Sequence, residues 1–123
     1  MNGDFTMWRS IGFIYLVLFS ASSYSASEFL TASVSKTLID DSDYGGCMAK
    51  LSPIPSSVGL NCGSSGWVTF SCTGDFNAKE VGNQKFEAAQ LAMITGTRVL
   101  VRVFDTKKHN GYCYASRIDN RSD

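Results

Sequence analysis

At 123 residues the chain has room for one domain, and 11 Lys plus Arg against 11 Asp plus Glu leave it formally neutral. Neutrality argues against a nucleic-acid binder, which needs a basic face. A single histidine beside four cysteines leaves a metal cluster short of ligands.

The first 26 residues read as a signal peptide. Met7-Trp8-Arg9 gives a short basic start, residues 11–19 (IGFIYLVLF) an apolar run, and residues 20–26 (SASSYSA) a small-residue region. Either Met1 or Met7 serves as the start. The apolar run is far below the roughly 20 residues that span a bilayer, so no permanent membrane anchor is expected. Cleavage should leave a mature chain beginning between Tyr24 and Ser27. Export also explains the cysteines. Cys47, Cys62, Cys72 and Cys113 all follow the leader, none in a C-x-x-C pair, and an even number in a short exported chain reads as two disulfides.

Residues 27–123 then form one domain. From Leu30, apolar residues alternate through Ala32, Val34 and Leu38, with Lys36 breaking the series, which predicts a half-buried strand. Turn formers follow at 40–46 (DDSDYGG). A second strand covers 47–51 and stops before Pro53 and Pro55. After a Ser/Gly-rich loop at 56–66, a third strand covers 67–72, with Val68, Phe70 and Cys72 on one face. Asn77 and Glu80 have the spacing of a capping box, opening a helix over 78–95. Its inward face holds Val81, Phe86, Ala88, Ala89, Ala92 and Met93, and Gly96 ends it. Strands over 98–104 and 112–118 complete the chain. The first turns Val99, Val101 and Val103 inward, and the second alternates Tyr112, Tyr114 and Ile118. The loop 105–111 between them contains the Asn110-Gly111 turn signal.

The fold class is therefore β-rich α+β, in the order β-β-β-α-β-β. That is the order of the five-stranded OB-fold, and an antiparallel OB-like barrel with one helix is expected. An open antiparallel sheet packed on one helix shares the order. If the second and third strands pair so that Cys47 faces Cys72 and Leu51 faces Val68, the disulfides are Cys47–Cys72 and Cys62–Cys113. Two other connectivities remain open on sequence grounds.

Two resemblances bear on function. The segment 84–117 passes from an Ala- and Met-rich helix into VLVRV at 99–103. A Lys/Asn turn and YCYASRI at 112–118 follow, and this layout resembles the B subunits of AB5 bacterial toxins of the cholera and subtilase types. The motifs GLNC at 59–62 and KKHNGYCYA at 107–115 are similar to small exported proteins of marine gamma-proteobacteria that have no assigned role. The resemblance implies a secreted or periplasmic bacterial protein with an OB-type fold. It carries over no sugar-binding residue set, and the toxin subunits usually have one intrachain disulfide rather than two.

The residues offer little for catalysis. His109 has no motif-placed nucleophile, Asp105 and Ser116 being the nearest partners in prospect, and an exposed loop histidine is expected. Asp40, Asp41 and Asp43 lack the spacing of a calcium loop. No enzyme and no cofactor are expected. The candidate ligand-binding residues are Lys107, Lys108, His109, Asn110, Tyr112 and Tyr114, with Trp67 as a second stacking residue. Rings suit apolar sugar faces, and short polar donors fix orientation. The plain alternative is a solvated hairpin tip whose tyrosines pack across strands. The expected activity is glycan or envelope-component binding by a non-enzymatic module; a periplasmic accessory protein that binds only protein partners is the alternative. Leu91 and Ile94 fall off the helix's main apolar face, which suggests a homo-oligomer through helix 78–95.

Overall fold

The computed structural model describes residues 26–121. The expected signal peptide over 1–26 lies outside the described residues, apart from Ala26. Five strands and one long helix follow in chain order: β1 (Ser27–Ile39), β2 (Cys47–Ser52), β3 (Trp67–Thr69), α1 (Lys79–Thr95), β4 (Val99–His109) and β5 (Tyr112–Asn120). The strands pair in the order β1-β2-β3-β5-β4, and β4 returns to β1, so the sheet closes into a ring.

The sheet is mixed, which corrects the antiparallel expectation: β3 and β5 run parallel. Parity requires this. In a ring of five strands the neighbours cannot all alternate in direction, so at least one pair must be parallel. Here β3 and β5 both run with β1, each lying one antiparallel step beyond a strand that opposes it.

Lys36 interrupts the alternation of β1 for a local reason. Val34 pairs with Leu51 and Lys36 with Lys50, so Ser35 is an extra residue, a β-bulge. Before it, Leu30, Ala32 and Val34 point into the ring. Val99, Val101 and Val103 of β4 and Val68 of β3 do the same and are fully buried, with Phe70 and Leu51 beside them. Helix α1 closes over this core with Phe86, Ala89 and Ala92.

The disulfides are Cys47–Cys72 and Cys62–Cys113, with Cα–Cα distances of 5.7 and 5.6 Å. The register that suggested them is shifted by two residues: Ala49, not Leu51, faces Val68. An even shift keeps every side chain on its expected face. Strand β3 also stops at Thr69, short of the expected 72. Ser71 takes a left-handed conformation (φ 55°), which turns Cys72 back to Cys47.

Three expectations about α1 change. Ala78, not Asn77, is the N-cap residue, and no side chain caps the first turn. Asn77 instead points its amide nitrogen at the Ser71 carbonyl, 3.0 Å away. Val81 is 41% exposed rather than inward, and Gly82 and Lys85 are buried in its place. Gly82 brings the helix against the chain after β3, where an added Cβ would lie 2.9 Å from the Phe70 carbonyl oxygen. Gly96 ends the helix as expected, its N–H bonded to the Ala92 carbonyl. The predicted loop at 105–111 is mostly strand. β4 runs to His109, and the turn is Asn110-Gly111, both at positive φ (52° and 85°).

Candidate functional site

The sequence-derived candidates divide into two groups. Trp67 on β3 and Tyr112 at the start of β5 are half-buried and line one depression of about 130 Å³ with Leu38, Met48 and Tyr44. Leu38 and Met48 are cross-strand partners on β1 and β2. Tyr44 lies in the turn 40–46 and meets Tyr112 edge to face, with ring centroids 5.4 Å apart at 82°. Edge-to-face contact fixes ring orientation before any ligand arrives.

Tyr44 escaped the sequence reading because its neighbours are all turn formers. An aromatic just ahead of Gly45-Gly46 was the available signal. Its backbone is left-handed (φ 60°), a conformation rare for bulky residues and held only where the surroundings enforce it. The enforcement is visible. The Thr69 hydroxyl donates to the Tyr44 carbonyl at 2.6 Å. Gly45 is pressed so closely that a Cβ there would collide with Thr69 and His109.

The second group turns elsewhere. His109 is not an exposed loop histidine. Its side chain is 17% exposed, and its Nε2 lies 3.1 Å from Ser71 Oγ and 3.7 Å from Asp75 Oδ2. Its ring packs on Phe76 at 4.6 Å. Ser, His and Asp meet here without forming a relay. Both oxygens approach the same ring nitrogen, whereas a catalytic histidine uses its two nitrogens for nucleophile and acid separately. Ser71 is fully buried and already accepts the Phe76 N–H. The partners in prospect, Asp105 and Ser116, are not the ones His109 finds; Asp105 accepts the Asn61 N–H instead.

Tyr114 is 5% exposed and belongs to the interior. Its hydroxyl donates to Asn77 Oδ1 at 2.9 Å and accepts from Lys85 Nζ at 3.0 Å. Lys85 also donates to Asn77 Oδ1 at 2.7 Å and to the Ala115 carbonyl at 3.2 Å. Three acceptors thus take the three ammonium protons. Burial still disfavours the charge and pushes the lysine down to about 8, while the Tyr114 phenol is pushed up by the same cause. Nothing in the sequence marked Lys85 as buried. Lys107, Lys108 and Asn110 are exposed on the far end of the hairpin.

Larger depressions lie at Ile39, Asp40, Asp41 and Lys79 (about 290 Å³) and at Leu91, Thr95 and Arg121 (about 340 Å³). Neither is lined by an aromatic ring. Among the described residues no group of three His, Cys, Asp or Glu is placed to hold a metal ion, and no helix is long and apolar enough to cross a membrane. The two disulfides point to an oxidising, extracellular or periplasmic environment. No family model matches the chain, and neither a curated protein nor a solved structure matches it. The functional reading therefore rests on geometry.

Proposed function

We propose that this is an exported, non-enzymatic binding module of OB-like fold that recognises a glycan or another envelope component, in the manner of a toxin B subunit. The observation that carries the reading is the position of the aromatic depression. OB-folds bind oligosaccharides and oligonucleotides on the face of their second and third strands, between the loops joining strands 1–2 and 4–5. Met48 lies on β2, Trp67 on β3, Tyr44 in the first of those loops, and Tyr112 next to the second. Half-buried rings with fixed orientation suit the apolar face of a pyranose. The neutral charge favours a sugar over a nucleic acid.

Tyr112 and Trp67 form the proposed contact surface with Tyr44. His109 braces it from behind, its ring pressed against Gly45 next to Tyr44. Leu91 and Ile94 stand 55% and 78% exposed on α1, which supports self-association through that helix. A glycan array tests the proposal. Specific sugar signals that vanish with Trp67→Ala and Tyr112→Ala are expected. An empty array for a folded protein would favour the accessory-protein alternative.

A further inference from the structure

The outer wall built from β1, β4 and β5 carries a feature that the depression does not use. The register sets Phe29 beside Arg102 and Arg102 beside Arg117, so three exposed side chains form one row across the wall. At normal strand spacing that row spans about 10 Å. The Arg102 guanidinium lies 5.7 Å from the Phe29 ring and 4.9 Å from the Phe104 ring. Arg117 lies 5.9 Å from Phe29, and the Lys107 ammonium 5.6 Å from Phe104. Cations and rings thus alternate as Arg117, Phe29, Arg102, Phe104 and Lys107.

Such stacking limits the freedom of a guanidinium and leaves its N–H edge available to an anion. The two arginines differ in that availability. Arg117 is held by Asp119 through paired bonds of 2.9 Å. Arg102 donates to the Ser27 hydroxyl at 3.3 Å, and among the described residues no carboxylate forms a salt bridge with it.

We infer that this wall binds an acidic linear polysaccharide, whose carboxylates or sulfates engage Arg102 and Lys107 while its sugar rings rest on Phe29 and Phe104. A guanidinium fork matches a carboxylate in shape as well as charge. Charge density decides against nucleic acid. Phosphate-bound proteins neutralise many closely spaced charges, and this wall offers two cations without a salt bridge among the described residues, in a chain of zero net charge. The site shares no residue with the aromatic depression and does not depend on it.

Biolayer interferometry on the full mature protein, with polygalacturonate, neutral dextran and single-stranded DNA as probes, tests this. Polygalacturonate should bind, more weakly as salt rises, and dextran should not. Arg102→Gln and Phe29→Ala should each weaken binding about tenfold, the usual weight of a charge-assisted contact. Arg102→Lys should recover only part of the loss, and Trp67→Ala should change nothing. Lys107→Gln provides a second charge variant if Arg102→Gln fails to fold. No polygalacturonate binding, equal binding to dextran, tighter binding to DNA, or unchanged affinity in the folded variants would overturn the inference.

Discussion

Replacing Lys85 with Met should change how stability depends on pH more than it changes stability at neutrality. Lys85 is 8% exposed and forms no salt bridge among the described residues; its ammonium is held by Asn77, Tyr114 and the Ala115 carbonyl. Its proton affinity falls from the ordinary lysine value of 10.5 to about 8. Below about pH 8 the folded and unfolded chains both carry the charge, so the burial penalty is present in full. Between about 8 and 10.5 the folded chain sheds the proton and the unfolded chain keeps it. The unfolded state then binds more protons, and stability rises with pH. Each unit of difference is worth about 1.4 kcal/mol, which sets a ceiling of about 3 kcal/mol. Residual hydration and the three hydrogen bonds bring the expected gain nearer 2 kcal/mol. Lys85→Met lacks the titrating group, so the wild-type-minus-variant stability should climb by about 2 kcal/mol from pH 7.5 to 10. Urea denaturation at fixed pH steps measures it. Tyr114 loses its contact with Lys85 in the variant, but burial raises its phenol in the folded chain, so the comparison is best read below the ordinary tyrosine value of 10. A difference that stays flat, or falls with pH, would refute the burial argument.

Other outcomes follow from the same structure. Cys72→Ser opens a 25-residue separation and Cys62→Ser one of 51. Chain entropy alone puts these losses at about 3.5 and 4 kcal/mol, read as a lowered denaturation midpoint. Gly82→Ala should destabilise by about 1–3 kcal/mol although alanine is the better helix former, because its Cβ meets the backbone at Phe70 and Ser71. Thermal melts decide it, and a stabilised variant would mean the helix can move outward. Leu91→Glu with Ile94→Glu should leave stability within about 0.5 kcal/mol. The pair should also shift light-scattering mass to a single subunit if α1 mediates assembly. A wild type that is already monomeric at high concentration removes that role.

Much of the fold was legible because strong local signals agreed with the tertiary outcome. The valines of β4, the Asn110-Gly111 turn and the Gly96 stop each follow from side-chain period or backbone preference, and each lies where its pattern placed it. What failed were inferences that needed long-range partners. Asn77 has the composition of a cap, but a buried lysine and tyrosine nearby need its oxygen more than the helix does. No local pattern marks Lys85 for burial, because two of its three acceptors, Tyr114 and Ala115, come from β5. The site divided in the same way. Trp67 and Tyr112 stood out by type, but Tyr44 joins them only because the closing ring brings the turn 40–46 beside β5. Tyr114 and His109 share the polar-aromatic composition of the hairpin, yet their partners on α1 and after β3 draw them inward.

The sugar-binding claim can be tested on one chromophore. Of the two tryptophans, Trp8 lies in the expected leader, so cleavage between Tyr24 and Ser27 would leave Trp67 alone. Its ring lines the proposed contact surface. Titrating the mature protein with a glycan that scores on the array should change Trp67 fluorescence saturably, and Tyr112→Ala should raise the dissociation constant about tenfold or more, as loss of a stacking ring does. Saturable glycan binding that leaves Trp67 emission unchanged and survives Tyr112→Ala would contradict the account.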